Sequence, residues 1–190
     1  MILASLKPYY YYLTGERKKT IEVRKTALKN LPQDIVFYMS KDEKSFAKIP
    51  KEFQEKYRKH FGKVGLAIVC DKITRYNCDK AFDEYFIAGY IGAYMPLKEM
   101  HLTNKDLIEY GKSRPLYGWH ISDLKIYDKP KELSEFRACN FKSMNGTDVC
   151  GNYDCKYYQD SGSYMVPPSC AKNGCRITRP PQSWQFVEEL

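Results

Sequence analysis

The sequence lacks any hydrophobic run long enough to cross a membrane. Its longest uncharged apolar stretches, such as Val64–Cys70, fall far short of the roughly 20 residues that a transmembrane helix needs. The opening stretch, MILASLKPYYYYL, has no basic segment followed by a long apolar stretch and a small-residue cleavage site. No signal peptide is therefore expected, and we expect a cytoplasmic protein without a membrane partner.

Internal repeats and extreme composition are also absent. The 190 residues are 43% apolar and 28% charged, which excludes a disordered tail and a collagen-like repeat. A chain of this length buries roughly 70% of its unfolded surface on folding, so it can fold without disulfide bonds or a bound metal. Aromatic residues are abundant, with 17 Tyr, 9 Phe and 2 Trp, and they can serve either the core or a stacking surface.

The excess positive charge is confined to the first third of the chain. Residues 1–63 hold 15 Lys and Arg against 7 Asp and Glu, whereas residues 64–190 hold 16 of each. Such asymmetry indicates a basic face for a phosphate-bearing partner. The alternative is a lysine-rich solvated surface that keeps the protein soluble.

Hydrophobic periodicity predicts strands with short helices between them. Strands are expected at Ile2–Leu6, Thr20–Lys25, Ile35–Met39, Val64–Tyr76, Leu116–Tyr127 and Trp184–Val187. Helices are expected at Pro8–Gly15, Pro50–Phe61, Thr103–Tyr110 and Pro130–Phe136, and loop with short strand at Phe82–Met95. This order favours an α+β fold, a small mixed β-barrel with short helical insertions.

Five of the seven cysteines lie between Cys139 and Cys175. In a reducing cytosol, clustered thiols are more often metal ligands than disulfides. Cys150 with Cys155, and Cys170 with Cys175, form two pairs that match the ligand set of a structural zinc site, and Cys139 could replace one of them. The polar segment between the pairs cannot form its own core, so a metal would stabilise it. Free thiols or an adventitious disulfide are the alternatives, and no organic cofactor is expected.

The stretch LKPYYYYLTGERKKTIEVRK resembles the opening signature of the ASCH (activating signal cointegrator homology) domain family, within the PUA-like superfamily. The signature residues are Lys7, Pro8, Lys19, Thr20, Glu22 and Arg24. The stretches GKVGLAIVCDKI, YGWHISDLKIYDKPKELSEF and RPPQSW resemble the phage and Gram-positive bacterial branch of this family, so the resemblance spans nearly the whole chain. One departure is that the family's glycine usually sits closer to the lysine. Here Gly15 is two residues early and Arg17 takes its place.

The resemblance implies a PUA-like β-barrel with a cleft, and a role on RNA or on modified nucleosides. It divides the chain into a barrel over residues 1–137, a Cys-rich loop subdomain inserted at 138–180, and a strand at 181–190 that returns to the barrel.

The predicted binding set centres on Glu22. On a strand, Thr20, Glu22 and Arg24 share one face. A carboxylate between Lys19 and Arg24 should stay ionised and can accept from the exocyclic amine of a base, while the two cations can hold a phosphate or a carbonyl. Lys7 belongs to the same set. The alternative is a structural Glu22–Arg24 ion pair that closes the barrel mouth.

Aromatic side chains at Tyr9–Tyr12, Tyr117 and Trp119 offer flat faces for a splayed base. Stacking is worth about 1–3 kcal/mol per base. The YTH and EVE relatives in the PUA-like superfamily hold a modified base in an aromatic cage, so the analogy supports this role; the alternative is that most of these rings fill the core. His120 could bond a ligand, transfer a proton or satisfy a backbone carbonyl.

The resemblance also implies an enzymatic alternative. Some small bacterial ASCH members are amidohydrolases acting on acetylated cytidine, with a Lys and a Thr on a Lys-Thr-x-Thr strand and a Glu elsewhere. Lys19 matches the lysine, but Glu22 occupies the position of the catalytic threonine, and Glu109 is a weak candidate for the distant Glu. An enzyme would therefore rely on Lys19 and Glu22. We favour a binding module, and a protein-interaction module docking through Lys44–Lys63 is the third hypothesis.

Overall fold

A computed structural model of the chain describes residues 1–76, 96–138, 158–160, 162, 169–170 and 175–189. The strands are β1 (Ile2–Leu6), β2 (Ile21–Arg24), β3 (Gln33–Met39), β4 (Val64–Tyr76), β5 (Leu116–Lys131), β6 (Phe136–Ala138), β7 (Tyr158–Gln159), β8 (Ser169–Cys170), β9 (Cys175–Arg176) and β10 (Trp184–Glu189). The helices are α1 (Pro8–Gly15), α2 (Glu43–Phe46), α3 (Lys51–Arg58), α4 (Leu97–Met100) and α5 (Asn104–Gly111), with a 3-10 helix at Leu133–Glu135. No helix of the described residues is long and apolar enough to cross a bilayer.

One mixed sheet organises the molecule. Its eight strands run in the order β2-β5-β4-β3-β1-β10-β6-β9, and β7 pairs with β8 separately. Strands β1 and β3 are parallel, while the other neighbours are antiparallel. The predicted α+β class is therefore confirmed. The sheet is not closed, because no ladder among the described strands joins the edge strands β2 and β9.

The main core lies where α1 and α3 meet the sheet, and tyrosine rings fill it. Tyr11 and Tyr12 of α1 pack edge-on against Tyr57 of α3, with ring centroids 6.2 and 5.6 Å apart. Helix α1 ends at Gly15, which lies against the Tyr57 ring. A Cβ at this position would collide with the Tyr57 hydroxyl. The close approach of two helices therefore explains this glycine.

The turn after α1 explains the departure noted in the signature. Arg17 has φ 55°, in the left-handed region that glycine occupies most easily. The backbone thus keeps a glycine-like conformation at position 17 although the glycine is two residues earlier. Residues 18 and 19 both donate from their N–H to the Leu13 carbonyl, which fixes the path of the chain into β2.

Most predicted elements are found within a few residues of their expected bounds. Helix α5 begins with the predicted capping box, in which Thr103 and Asp106 cap each other. The helix expected at Pro130–Phe136 is wrong, because β5 continues to Lys131 and only Leu133–Glu135 forms a 3-10 turn. Pro130 lies where the register between β4 and β5 is irregular, so its missing N–H costs little pairing.

Some predictions lie outside the described residues. These are the segment Phe82–Met95 and the cysteines Cys139, Cys150 and Cys155. Cys170 and Cys175 are described only as backbone positions of β8 and β9. The zinc site and the division of the chain at residues 137 and 180 therefore stay predictions.

Candidate ligand-binding cleft

A cleft of about 520 Å³ opens beside the edge strand β2. Residues of β1, α1 and β2 line one part of it, and Leu102 with residues of α5 lines another. Gln182, which precedes β10, completes the lining. The site is therefore built from segments at both ends of the chain and from its middle.

Three charged side chains form the floor of the cleft. Glu22 Oε2 lies 3.5 Å from Lys19 Nζ, and Glu22 Oε1 lies 3.0 Å from Arg24 Nε. The side chains of Lys19, Glu22 and Arg24 are only 2%, 9% and 7% exposed. A buried carboxylate is tolerated when opposite charges compensate it, and here two cations do so.

The hydrogen-bonding capacity of Lys19 is used within the protein. Its Nζ donates to the carbonyl of Ile21 at 2.8 Å and to that of Met100 at 2.7 Å. An ammonium group has three N–H donors, and the third faces Glu22. Burial lowers the pKa of Lys19, while the contact with Glu22 opposes this shift. Lys19 therefore ties β2 to the end of α4 and positions Glu22.

Arg24 connects β2 to β1 and to the segment before β10 through hydrogen bonds at the cleft. Its Nη2 donates to the Ser5 carbonyl of β1 at 2.8 Å, and its Nη1 donates to the Ser183 carbonyl at 3.2 Å. A guanidinium has five N–H donors, so among the described residues one N–H on each Nη stays available. Arg24 thus makes the structural ion pair that the sequence left open, and it still lines the cleft.

Two tyrosines supply aromatic walls. Tyr10 of α1 lies with its ring centroid 5.5 Å from Lys19 Nζ, and Tyr110 of α5 lies 4.7 Å from Lys25 Nζ. Tyr110 is 39% exposed at the rim. Burial raises the pKa of both phenols; Asp106 and Glu22 raise that of Tyr10 further, while for Tyr110 Arg24 opposes the shift and Glu22 adds to it. Both hydroxyls therefore keep their protons at neutral pH and can donate to a ligand.

The structure brings Lys7, Lys19, Glu22 and Arg24 of the predicted set into the cleft. Thr20 does not line it, because the segment turns that side chain into a neighbouring groove. Of the tyrosine run, Tyr10 lines the cleft, whereas Tyr11 and Tyr12 are buried in the core.

Two residues of the predicted set, Trp119 and His120, do not line the cleft. Trp119 is fully buried beneath Arg24, with its ring centroid 5.8 Å from the guanidinium carbon, and its Nε1 donates to the Thr26 carbonyl. The His120 side chain lies outside the cleft, with Nε2 2.8 Å from the Thr74 hydroxyl. Burial lowers the pKa of His120. Neither residue presents a surface to a ligand in the cleft.

Several lining residues were not found by sequence reasoning. They are Ser5, Leu6, Val23, Ser40, Leu102, Asp106, Tyr110 and Gln182. The capping box did locate the start of α5, but the Asp106 carboxylate is used there, accepting from Thr103 N–H at 2.8 Å. Nothing in the local pattern linked α5 to Glu22. The cleft exists because the chain folds these distant segments together.

Metal binding finds no support in the described part of the chain, where no group of three or more His, Cys, Asp or Glu side chains could hold an ion. The cysteine pairs of the predicted zinc site fall outside this statement, because their side chains are not described.

Solved structures similar to this chain include ASCH proteins. The crystal structure of ASCH from Zymomonas mobilis matches with a TM-score of 0.46 and 17% identity, over 79% of this chain and 87% of that chain. Two point mutants of the same protein, ZmASCH, match at TM-scores of 0.46 and 0.44 with 16% identity, over 70% of this chain and 75% and 73% of theirs. No protein-family model and no curated protein matches the sequence.

Proposed function

We propose that this chain is an ASCH-family module that binds RNA or a modified nucleoside, with one base seated in the cleft. The observation that supports it most is Glu22, a buried carboxylate that faces an open cleft. The volume of about 520 Å³ lies within the range of sites that enclose small ligands. The signature around Lys7 and Lys19 supports the family, and the later motifs support its phage and Gram-positive branch.

The polar floor suits the edge of a base. Each oxygen of Glu22 contacts one cation, and a carboxylate oxygen can accept more than one hydrogen bond. Glu22 can therefore accept from an exocyclic amine or a ring N–H. The remaining N–H groups of Arg24 can donate to a neighbouring carbonyl. Adjacent acceptor and donor groups would orient the base, while Tyr10 and Tyr110 offer rings to its flat face.

Binding is favoured over hydrolysis because the groups for catalysis are not assembled. Glu22 stands where the amidohydrolases of the family have their threonine, and Thr20 lines a different groove. The ammonium group of Lys19 already donates to the Ile21 and Met100 carbonyls and is paired with Glu22. A nucleophile with an adjacent free base is thus missing among the predicted catalytic residues.

The binding proposal is tested by calorimetric titration of the four ribonucleosides, acetylcytidine and a short single-stranded RNA. Tyr110→Ser should weaken binding by about 1–3 kcal/mol, the contribution of one stacked base. Phe186→Ser is the matched control, since Phe186 is 50% exposed on β10 and does not line the cleft. The proposal is wrong if none of these ligands binds, and the site is misplaced if both variants weaken binding equally.

The hydrolase alternative is tested on the same samples. Acetylcytidine is incubated with the protein and the products are separated by chromatography. We expect no release of cytidine and acetate. Turnover by the wild type that is abolished in Glu22→Ala would replace the binding module with an amidohydrolase.

Structural zinc remains a separate proposal for Cys150, Cys155, Cys170 and Cys175, based on their spacing. Elemental analysis should find about one zinc ion per chain, and Cys150→Ser should lower both zinc content and stability. A metal-free protein whose stability is unchanged by Cys150→Ser would contradict it.

A further inference from the structure

A second groove lies directly beside the cleft. It has a volume of about 760 Å³ and is lined by Lys18, Thr20, Lys98 and His101, among others. Leu102 lines both depressions, so they meet at a shared rim. A ligand larger than one base could therefore continue from the cleft into this groove.

The chain between the two depressions alternates its side chains. Lys19 turns into the cleft, whereas Lys18 and Thr20 on either side of it are exposed and line the groove. Backbone carbonyls at the end of α4 accept hydrogen bonds from this segment. Thr20 N–H donates to the Glu99 carbonyl at 2.9 Å, and Lys19 Nζ donates to the Met100 carbonyl at 2.7 Å. The ridge that separates the depressions is thus held by hydrogen bonds between the two chain segments.

Positive charge predominates in the groove. Lys18 and Lys98 line it against the single carboxylate of Glu99, and His101 adds an imidazole ring. Lys18 is held in position, since its Nζ donates to the Tyr12 hydroxyl at 2.7 Å and keeps two further N–H donors. Within the described residues, the side chains of Lys98 and His101 make no hydrogen bond or ion pair. These groups can therefore engage an anion without breaking a native contact.

We propose that this groove binds a phosphate group of the nucleotide whose base occupies the cleft. The inference rests on the proposed function, and it narrows the ligand from a nucleoside to a nucleotide or a nucleic-acid strand. Lysine binds phosphate as a point charge, and the Thr20 hydroxyl adds a donor beside Lys18. Base and phosphate are joined through one sugar, so two depressions with a common rim match that ligand.

The test compares a nucleoside with its own phosphates. The nucleoside that binds most tightly is titrated alongside its 5′- and 3′-monophosphates and a pentanucleotide containing it. One of the monophosphates should bind about five- to tenfold more tightly than the nucleoside. Inorganic phosphate should compete against the monophosphate and leave nucleoside binding unchanged.

Lys98→Gln tests whether the phosphate of the monophosphate binds in this groove, and Lys105→Gln is the matched control. Lys105 lies on α5, is 85% exposed and does not line the groove. Lys98→Gln should weaken monophosphate binding about two- to fivefold, as expected for one exposed ion pair, and leave nucleoside binding unchanged. With the pentanucleotide, it should also lower the slope of log affinity against log salt by about 0.7.

Two results overturn the inference in different ways. Equal affinity for nucleoside and monophosphates, or equal effects of Lys98→Gln and Lys105→Gln, refutes the phosphate groove while the base site stands. Absence of binding by every nucleoside and nucleotide refutes the proposed function and the groove together.

Discussion

Replacing Glu22 with glutamine would leave two buried cations without a counterion. The Lys19 and Arg24 side chains are 2% and 7% exposed, and Glu22 is the carboxylate that contacts both. Glutamine has nearly the same shape and keeps one acceptor oxygen. The substitution therefore removes charge and leaves the packing of the floor intact.

The expected cost follows from the geometry. Removing one partner of a buried ion pair costs about 3–5 kcal/mol, because the remaining charge is uncompensated. Lys19 would keep its hydrogen bonds to the Ile21 and Met100 carbonyls, and the introduced amide would still offer an oxygen, so we expect the lower end. Glu22→Gln should lower the free energy of unfolding by about 3 kcal/mol.

Urea denaturation at neutral pH, followed by circular dichroism, measures this loss. Glu132→Gln is the control, because Glu132 is 57% exposed and lies 3.0 Å from Lys63 Nζ in an exposed ion pair. That control should cost less than about 1 kcal/mol. If Glu22→Gln costs no more than Glu132→Gln, the reasoning about a buried charge cluster is refuted.

Three further substitutions test other parts of the structure. Thr103→Ala removes the hydroxyl that caps α5 and should cost about 1 kcal/mol in the same urea assay, whereas an unchanged midpoint would contradict the cap. Gly15→Ala places a methyl group against the Tyr57 hydroxyl and should cost about 1–3 kcal/mol; a gain in stability would show that the helices do not approach so closely. Burial, aided by nearby lysines, lowers the pKa of His60 to about 4, below the value of about 6.5 expected in the unfolded chain. The unfolded state then binds more protons between these values, so up to about 3 kcal/mol of stability present above pH 6.5 is lost as the pH falls to 4. His60→Gln should remove that part of the pH dependence, and superimposable pH profiles would contradict it.

Local rules were sufficient for most of the elements that carry the cleft. Alternation over Ile21–Arg24 gives β2, and Pro8 and Gly15 bound α1. Thr103 with Asp106 gives the start of α5. Each of these features depends on residues a few positions apart, so the sequence pattern contains the information needed to predict it.

The partners of the charged residues could not be predicted in this way. Lys19 donates to a carbonyl 81 positions away, and Arg24 to one 159 positions away. These bonds depend on how the strands are arranged in the sheet. For the same reason, the positions of Trp119 and His120 relative to the cleft could not be predicted. Alternation along β5 places the two side chains on opposite faces of the strand, but it does not show which face Arg24 covers. Tyr110 carries no local signal at all, since its role comes from the docking of α5 beside β2.

The central claim is that a ligand binds in the cleft floored by Glu22, and chemical-shift mapping of backbone amides tests it most directly. The isotope-labelled protein is titrated with the nucleoside or RNA that binds most tightly in the calorimetric panel. The largest shifts should occur at Tyr10, Glu22, Leu102 and Tyr110, which surround the cleft. Shifts confined to helix α3 (Lys51–Arg58), with those four amides unchanged, would contradict the claim.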